Sequence, residues 1–333
     1  MHGIRKSDVP LTAEEEAAML ELVKKYKEVS TEVMKLKAAK QYDRHALQLS
    51  AHVVVLNPEF WIIWAFRRAI ILHLIQQDSS LKEELGNAEC ALTQEALMKN
   101  PKSYASWFQR EWLMKQGLAN LEKEIKLCDK LLNLDERNFH CWNYRRIVTK
   151  TAHTPLDEVL AFTMTKIEQN FSNYSAFQQR SLILPSPLPL EVAMIEIELV
   201  KQAVFTEPDD QSNWFYYRWL IQSLVKSPPP MPSPRVVDAD DNSDDEGFEM
   251  TLHGILIEQV HWIDELVELE PESKMALVTL AFVLEVEATF DRDSFAQSAS
   301  TSLKRCKEVY QTLQEIDPDH VHYYEDRIKA LKV

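Results

Sequence analysis

Glycine is the scarcest ordinary residue in this chain, with only five among 333. Glycine supplies the positive backbone angles that tight turns, β-bulges and phosphate-binding loops need, and its average usage is near 7%. The shortage excludes a fold rich in tight β-turns and any glycine-rich phosphate loop. With 45% hydrophobic and 27% charged residues, the composition favours a folded, helical protein.

Cysteines and long apolar runs are also few. The four cysteines show neither CxxC spacing nor a short disulfide framework, so we expect a reduced interior. The most apolar stretch, FWIIWAFRRAIILHLI, is interrupted by Arg67 and Arg68 and falls short of a membrane span of about 18 residues. The opening residues lack the apolar core of a signal peptide. These absences predict a cytoplasmic protein without a membrane span.

Positive charge is outnumbered, because 37 Lys and Arg residues face 52 Asp and Glu residues and the formal net charge is −15. This balance opposes non-specific nucleic-acid binding, whose affinity comes mainly from neutralising phosphates. We therefore expect proteins or a compact ligand as partners, and no nucleic acid.

Self-sufficient catalytic motifs are missing as well, since there is no HExxH, no zinc-spaced cysteine pair, no GxGxxG and no P-loop. His320 and His322 lie two residues apart, which puts them on different faces of a helix. His2 is a candidate donor to a metal held by a partner, or else a solvated terminal residue. The sequence predicts no metal site and no bound cofactor in this chain.

What the chain does contain is a repeated pattern. A polar or acidic residue, commonly followed by proline, precedes a large aromatic by seven positions in five clear copies. The aromatics are Trp64, Trp107, Trp142, Phe177 and Trp214, spaced by 43, 35, 35 and 37 residues. Such intervals are typical of helix-pair repeats. Weaker copies begin at Glu270 and Asp317.

Each copy predicts the start of a helix. The Asn or Asp that begins a copy would supply a capping oxygen, and proline suits a first helical turn, where no N–H is needed. The aromatics four and seven residues after that first residue would share one face of the helix. Amphipathic stretches such as ANLEKEIKLCDKLLNL fill the intervals. Stacked helix pairs would bury the seventh-position aromatics, and Phe139 with them, in one continuous core.

The predicted architecture is an all-α solenoid forming a single domain over 1–333. Its repeat cores lie near 57–70, 100–113, 135–148, 170–183 and 207–220, with degenerate copies at 270–283 and 317–330. An acidic, Pro-rich stretch at 226–250 cannot bury apolar area, so it is predicted to be a loop inserted into the stack.

Two groups of arginines stand out. A guanidinium just after each repeat aromatic can stack on a ring or reach carbonyls of a neighbouring repeat, which predicts structural or interface contacts. These arginines are Arg67, Arg110, Arg145, Arg180 and, one residue later in register, Arg218. Arg137 instead lies at the predicted start of a helix, where it would strengthen a phosphate or diphosphate site. Arg137 is therefore a candidate for binding a phosphate or diphosphate; the alternative is a solvated surface side chain.

These residues resemble a known family, the α subunits of protein prenyltransferases, whose repeats carry an Asn-Pro, aromatic, Trp and Arg pattern. The opening MHG, DERNFHCWNYRR, NFSNYSAFQQRS and DQSNWFYYRW are most similar to the type II group, Rab geranylgeranyltransferase. The resemblance implies a right-handed superhelix, or crescent, of antiparallel helix pairs. In the farnesyl enzyme a lysine acts at the position of Arg137, and the neighbouring tyrosine is replaced here by Phe139. The resemblance thus implies Arg137, with His140 beside it, as the diphosphate-binding candidates.

The resemblance also implies a function, that of the non-zinc subunit of a heterodimeric transferase that is inactive alone. A β subunit would carry the catalytic zinc and bind most of the geranylgeranyl diphosphate. The enzyme would transfer the geranylgeranyl group to C-terminal cysteines of Rab GTPases presented by an escort protein. No catalytic residue is assigned to this chain.

Two alternatives remain open at this point. One is the α subunit shared by farnesyltransferase and the type I geranylgeranyl enzyme, which modify a CaaX tail without an escort protein. The other is a tetratricopeptide-like adaptor with no enzyme attached. Such repeats need small residues where helices cross, whereas Trp and Arg recur in register here.

Deleting residues 228–249 tests whether the acidic stretch is an inert loop. We expect heterodimer formation and transferase activity to stay unchanged, because charged, proline-rich segments bury little apolar area. Co-purification with a β subunit and a prenyl-transfer assay are the measurements; loss of either would assign the stretch a role.

Overall fold

The computed structural model describes residues 12–226, 252–290 and 296–331. Its regular elements within those ranges are fifteen α-helices and two short 3-10 turns, with no strand among them. The all-α prediction is confirmed. His2 and all but the first residue of the predicted 226–250 insertion lie outside the described residues.

The chain divides into two compact units, Met1–Val159 and Leu160–Val333. The first contains α1 (Ala13–Ala38), α2 (Arg44–Leu56), α3 (Trp61–Gln77), α4 (Lys82–Lys99), α5 (Tyr104–Lys115), α6 (Leu121–Leu134), α7 (Phe139–Thr151) and the start of α8 (Leu156–Gln169). The second contains the rest of α8, α9 (Tyr174–Ile183), α10 (Leu190–Thr206), α11 (Gln211–Lys226), α12 (Leu252–Leu269), α13 (Lys274–Phe290), α14 (Ala296–Ile316) and α15 (Val321–Ala330).

Consecutive helices pack as pairs. In the first unit α2 packs on α3, α4 on α5 and α6 on α7, and in the second α10 packs on α11, α12 on α13 and α14 on α15. Short connections make the two helices of each pair antiparallel. Helix α6 shows why they pair: the Asn120 side chain caps it by accepting from the Lys123 N–H, and Leu127, Leu131 and Leu132 form its buried stripe.

The repeat turns correct the predicted helix starts. The first residue of each copy ends the preceding helix: the Asn100 N–H donates to the Ala96 carbonyl, and the Asn100 carbonyl accepts from the Ser103 N–H at 3.1 Å. The Asn100 side chain accepts from the Lys102 N–H at 3.2 Å, so it caps the turn and not a helix. The next helix begins later, and the Ser103 side chain caps it.

The same carbonyl-to-N–H turn occurs at the start of all seven copies, at Asn57, Asn100, Asp135, Asn170, Glu207, Glu270 and Asp317. The two degenerate copies therefore keep the local backbone of the clear ones. In five of the seven copies a proline follows the first residue. Four of these prolines, Pro58, Pro101, Pro208 and Pro271, lie in the turn itself, where an N–H is not needed. Pro318 differs because it begins a 3-10 turn.

The repeat tryptophans connect each second helix to its own turn. The indole N–H of Trp64 donates to the Pro58 carbonyl at 2.7 Å. Equivalent bonds join Trp107 to Pro101, Trp142 to Glu136 and Trp214 to Pro208, at 2.9, 2.8 and 2.7 Å. All five seventh-position aromatics are buried, and Phe177 fills the position without a donor. Each indole thereby satisfies a turn carbonyl while its ring packs in the core.

A second connection crosses between helix pairs through buried ion pairs. Arg110 on α5 donates to both carboxylate oxygens of Glu124 on α6, at 2.5 and 2.8 Å. Its third nitrogen donates to the Cys90 carbonyl and the Thr93 hydroxyl on α4, at 2.9 and 2.8 Å. Tyr144 on α7 adds a hydrogen bond to Glu124 at 2.8 Å. One arginine thus joins three helices, and its glutamate adds a fourth.

The arrangement recurs in two further copies, and the arginine's contacts with the preceding helix keep a fixed spacing. Arg67 pairs with Glu89, and Arg180 pairs with Glu196. In all three copies the arginine also donates to a carbonyl 20 residues earlier and a Ser or Thr hydroxyl 17 residues earlier. Each glutamate accepts a further bond from the following second helix, from Gln109, Tyr144 or Tyr216. We call these the Arg–Glu clamps.

Two copies depart from this pattern. Arg145 has Cys128 in place of the Ser or Thr, and it pairs with Asp129 on α6 at 2.9 Å. In the fifth copy Tyr217 occupies the clamp position and donates to Gln259 at 3.2 Å. Arg218 lies one position further on, over the Phe215 ring at 4.8 Å. This stacking on a ring is one of the two contacts that the sequence predicts for Arg218.

Arg110→Ala is expected to lower the free energy of unfolding of the first unit by about 3–5 kcal/mol, because it leaves the Glu124 carboxylate buried without its cation. The double variant Arg110→Met/Glu124→Leu should recover much of that loss. Urea denaturation followed by circular dichroism measures both. Arg44→Ala, which removes an exposed partner of Glu84, is the control and should leave stability nearly unchanged; equal effects of Arg110→Ala and Arg44→Ala would contradict the clamp.

Candidate functional site

The turn that carries Arg137 is held from several sides. The Asn138 N–H donates to the Asp135 carbonyl at 3.1 Å, and the Trp142 indole donates to the Glu136 carbonyl at 2.8 Å. The Asn138 amide donates to the Pro101 carbonyl of the preceding turn at 3.0 Å. The backbone of Arg137 is therefore fixed, although its side chain is 41% exposed, with Nε 4.0 Å from a Glu136 oxygen.

His140 lies in the first turn of α7 and is enclosed by aromatic rings. Its imidazole meets Tyr104 edge-on at 4.3 Å between centroids and lies 3.9 Å from the Phe139 ring. Only 8% of its surface is exposed. Burial lowers the pKa of His140 below the usual 6.5; Glu59 raises it, and Lys102 lowers it further. His140 is thus held as a neutral imidazole at pH 7.

Lys102, Glu59 and Tyr104 are neighbours of this site that the sequence reading did not select. Lys102 occupies the third position of its repeat turn. Arg137 occupies the same position one repeat later, and Glu59 occupies it one repeat earlier. Superimposing the copies by turn position would have revealed this row. It places one acidic side chain, Glu59, and two basic ones, Lys102 and Arg137, at successive turns of the first unit.

The fourth-position aromatics correct a second prediction. They do not share the buried face of the tryptophans, because Trp61, Tyr104, Phe139 and Tyr174 are 47%, 60%, 51% and 52% exposed. Phe139 in particular was expected in the core. In the first unit Trp61 lies 5.8 Å from Phe108, and Tyr104 lies 6.3 Å from Phe139. The second helices α3, α5 and α7 therefore present exposed rings, a composition enriched at protein interfaces.

The second unit has an apolar groove between α9 and α11, with a volume of about 540 Å³. It is lined mainly by aromatic rings, namely those of Tyr174, Phe177, Phe215, Tyr216 and Trp219. Tyr216 and Trp219 stack with centroids 5.4 Å apart. The second unit thus repeats the exposed aromatic character of the first on its own second helices.

Metal ligands and reactive thiols are not assembled in the described ranges. No group of three or more His, Cys, Asp or Glu side chains there could hold a metal ion. The four cysteines are free, and burial raises the pKa of Cys90 to about 11 and that of Cys306 to about 12, which disfavours thiolates. His320 and His322 each contact a carboxylate of their own segment. Among the described helices, none is long and apolar enough to cross a bilayer.

Comparison with known proteins places the fold. Residues 87–117, 121–152, 156–186 and 195–224 match the protein prenyltransferase alpha subunit repeat. Geranylgeranyl transferase type-2 subunit alpha of Dictyostelium discoideum is 34% identical over 339 residues, covering 97% of this chain and 98% of that protein. The chain belongs to the geranylgeranyl transferase type-2 subunit alpha family. Each matched repeat contains one first helix, its turn and the second helix that follows.

Other relatives agree. The Homo sapiens geranylgeranyl transferase type-2 subunit alpha is 39% identical over 241 residues, covering 66% of this chain and 42% of that protein. The chain thus matches less than half the length of its mammalian relatives. Among solved structures, Candida albicans protein geranylgeranyltransferase-I complexed with GGPP has a chain with a TM-score of 0.70 at 19% identity, covering 99% of this chain and 96% of that one. This likeness shows that the two chains share a fold.

Histidine NMR titration tests the aromatic enclosure of His140. We expect a pKa below 6.5, so the stability that the neutral ring contributes is present above pH 6.5 and is lost as the pH falls below it. Phe139→Ala, which uncovers the ring, and Lys102→Ala should both raise the pKa, whereas Glu59→Gln should lower it. A His140 pKa at or above 6.5 in the unaltered chain would contradict the enclosure.

Proposed function

We propose that this chain is the α subunit of a type II, or Rab, geranylgeranyltransferase. With a β subunit it supports transfer of geranylgeranyl from its diphosphate to C-terminal cysteines of Rab GTPases presented by an escort protein. The observation that carries the proposal is the match to the Dictyostelium type-2 α subunit along 97% of this chain and 98% of that protein. That match favours the type II subunit over a shared type I α subunit or an adaptor.

The described residues support a division of labour between the two subunits. Prenyl transfer to a cysteine needs a thiolate, which a bound zinc provides at neutral pH. The described residues of this chain contain no cluster fit to hold that ion, and the two thiols with pKa values near 11 and 12 stay protonated. We assign the zinc and most of the isoprenoid pocket to the β subunit. The α chain contributes a docking surface and positive groups.

Arg137 is the proposed diphosphate contact. Its backbone is fixed by the hydrogen bonds of the 135–138 turn, so only the partly exposed side chain has to be ordered when the guanidinium binds an anion. A cation at the leaving diphosphate offsets charge that grows as the carbon–oxygen bond breaks. His140, three residues further on, has a supporting role at most, because its buried, neutral imidazole is flanked by rings and adds no charge.

The deciding experiment measures transfer of labelled geranylgeranyl to a Rab protein ending in two cysteines. Three mixtures are compared: this chain alone, this chain with a type II β subunit, and both with an escort protein. Activity in the third mixture only supports the proposal. Transfer to a CaaX peptide without escort protein would favour the shared α subunit, and no transfer in any mixture would refute the enzyme assignment.

Arg137→Ala is expected to lower the single-turnover transfer rate by roughly tenfold to a hundredfold, since it removes one cation from the developing diphosphate charge. Arg137→Lys should retain much of the rate. Adding Phe139→Tyr to Arg137→Ala should not restore the rate. Rapid-quench assays with preformed heterodimer measure the step. An unchanged rate in Arg137→Ala, with the heterodimer intact on gel filtration, would remove Arg137 from the mechanism.

A further inference from the structure

Arg68 on α3 is held rigidly by side chains of α5. Its guanidinium carbon lies 4.6 Å from the Phe108 ring centroid and 5.6 Å from that of Trp112. Its Nε donates to the Gln109 side-chain oxygen at 2.6 Å. Stacking on two rings and a short hydrogen bond leave this long side chain little rotational freedom.

The hydrogen bond at Nε is itself anchored in the core. Gln109 is fully buried, and its amide nitrogen donates to Glu89 at 2.8 Å. Glu89 is the carboxylate of the first Arg–Glu clamp and pairs with Arg67. A continuous chain of contacts therefore runs from the buried Arg67 through Glu89 and Gln109 to Arg68. Arg67 and Arg68 are adjacent in the sequence, yet Arg67 lies inside this network and Arg68 lies at its outer end.

The terminal nitrogens of Arg68 are the unused part of the group. Within the described residues the guanidinium has one hydrogen bond, at Nε, and no ion pair. Half-burial lowers the pKa of Arg68 from its usual value, and the negative charge of Glu89, which forms no ion pair with Arg68, offsets only part of that effect. Two forked N–H groups, fixed in direction and still able to donate, are the geometry that binds a carboxylate with both oxygens.

The surroundings of Arg68 fit a protein partner. Trp61 and Phe108 lie 5.8 Å apart and are 47% and 48% exposed, so apolar rings border the cation. Aromatic residues and arginine are the types enriched at the centre of protein interfaces, where surrounding rings exclude water from the charged contact. A diphosphate carries several negative charges and needs several cations. Within the described residues Arg68 contacts two rings and one amide, and none of these is a cation.

We propose that Arg68, with Trp61, Phe108 and Trp112 around it, is a preformed receptor for an Asp or Glu side chain of the β subunit. The inference rests on the proposed function, because it names how the partner of that heterodimer is recognised. The Arg–Glu clamp positions the receptor through Gln109, so the same network that joins the helices also orients an interface cation. Little ordering remains when the partner docks, which favours affinity.

Heterodimer affinity tests the receptor. Arg68→Ala is expected to raise the Kd for a purified type II β subunit by about 30-fold or more, as for a central interface residue. Arg68→Glu should raise it further by repulsion. Arg68→Lys should give an intermediate loss, because lysine keeps the charge but cannot form two parallel hydrogen bonds. Arg44→Ala removes an exposed arginine paired with Glu84 and is the charge-matched control, with no expected change.

Isothermal titration calorimetry gives the Kd, and far-UV circular dichroism checks that each variant folds. Phe108→Ala, which removes the stacking platform but keeps the arginine, should weaken binding as Arg68→Ala does. Wild-type affinity in Arg68→Ala, or equal losses in Arg68→Ala and Arg44→Ala, would overturn the receptor while leaving the heterodimer proposal standing. Failure of the unaltered chain to bind the β subunit would overturn both.

Discussion

The structure depends on an arginine and a glutamate that are both removed from water. Taking two charges out of water costs several kcal/mol each, and their attraction offsets that cost only when the remaining donors and acceptors are also satisfied. Each complete clamp meets this condition. The three nitrogens of the arginine donate to a carboxylate, a backbone carbonyl and a hydroxyl. The glutamate, on the first helix of the next pair, accepts a further bond from the second helix of that pair. An apolar core alone would allow adjacent pairs to slide, whereas these directional contacts fix their register.

Fixing the register has consequences at the surface. The clamp arginine lies three residues after the repeat aromatic, so locking it sets the rotation of each second helix about its axis. That rotation buries the seventh-position ring and turns the fourth-position ring outward, which is why Trp64 is 1% exposed and Trp61 is 47% exposed. The turn before each second helix is held by the indole hydrogen bond, and it carries Lys102 and Arg137 in equivalent places. Interface rings and candidate anion contacts thus follow from buried chemistry.

Much of this was predictable. The periodic aromatics, the helical class, the amphipathic first helices and the structural position of the clamp arginines all follow from residue type and spacing, because helix periodicity and burial of large side chains are local rules repeated seven times. The errors came from neighbouring positions. Asn100 and Asp135 seemed to cap the helices that follow, yet their side chains close the turn, because Ser103 and Asn138 are better placed to cap. Phe139 was grouped with the buried Trp142, although its own ring is exposed.

By itself, the sequence determined that this chain is a helical repeat protein with buried aromatics and the pattern of a prenyltransferase α subunit. Those properties depend on composition and short-range spacing, which the chain carries however it folds. Only the tertiary structure decided which of two adjacent arginines is buried, that Phe139 is exposed while Trp142 is not, and that Glu59, Lys102 and Tyr104 surround His140. These depend on helix rotation and on contacts between residues about 20 to 80 positions apart, and a pattern of spacings along the chain does not contain that information.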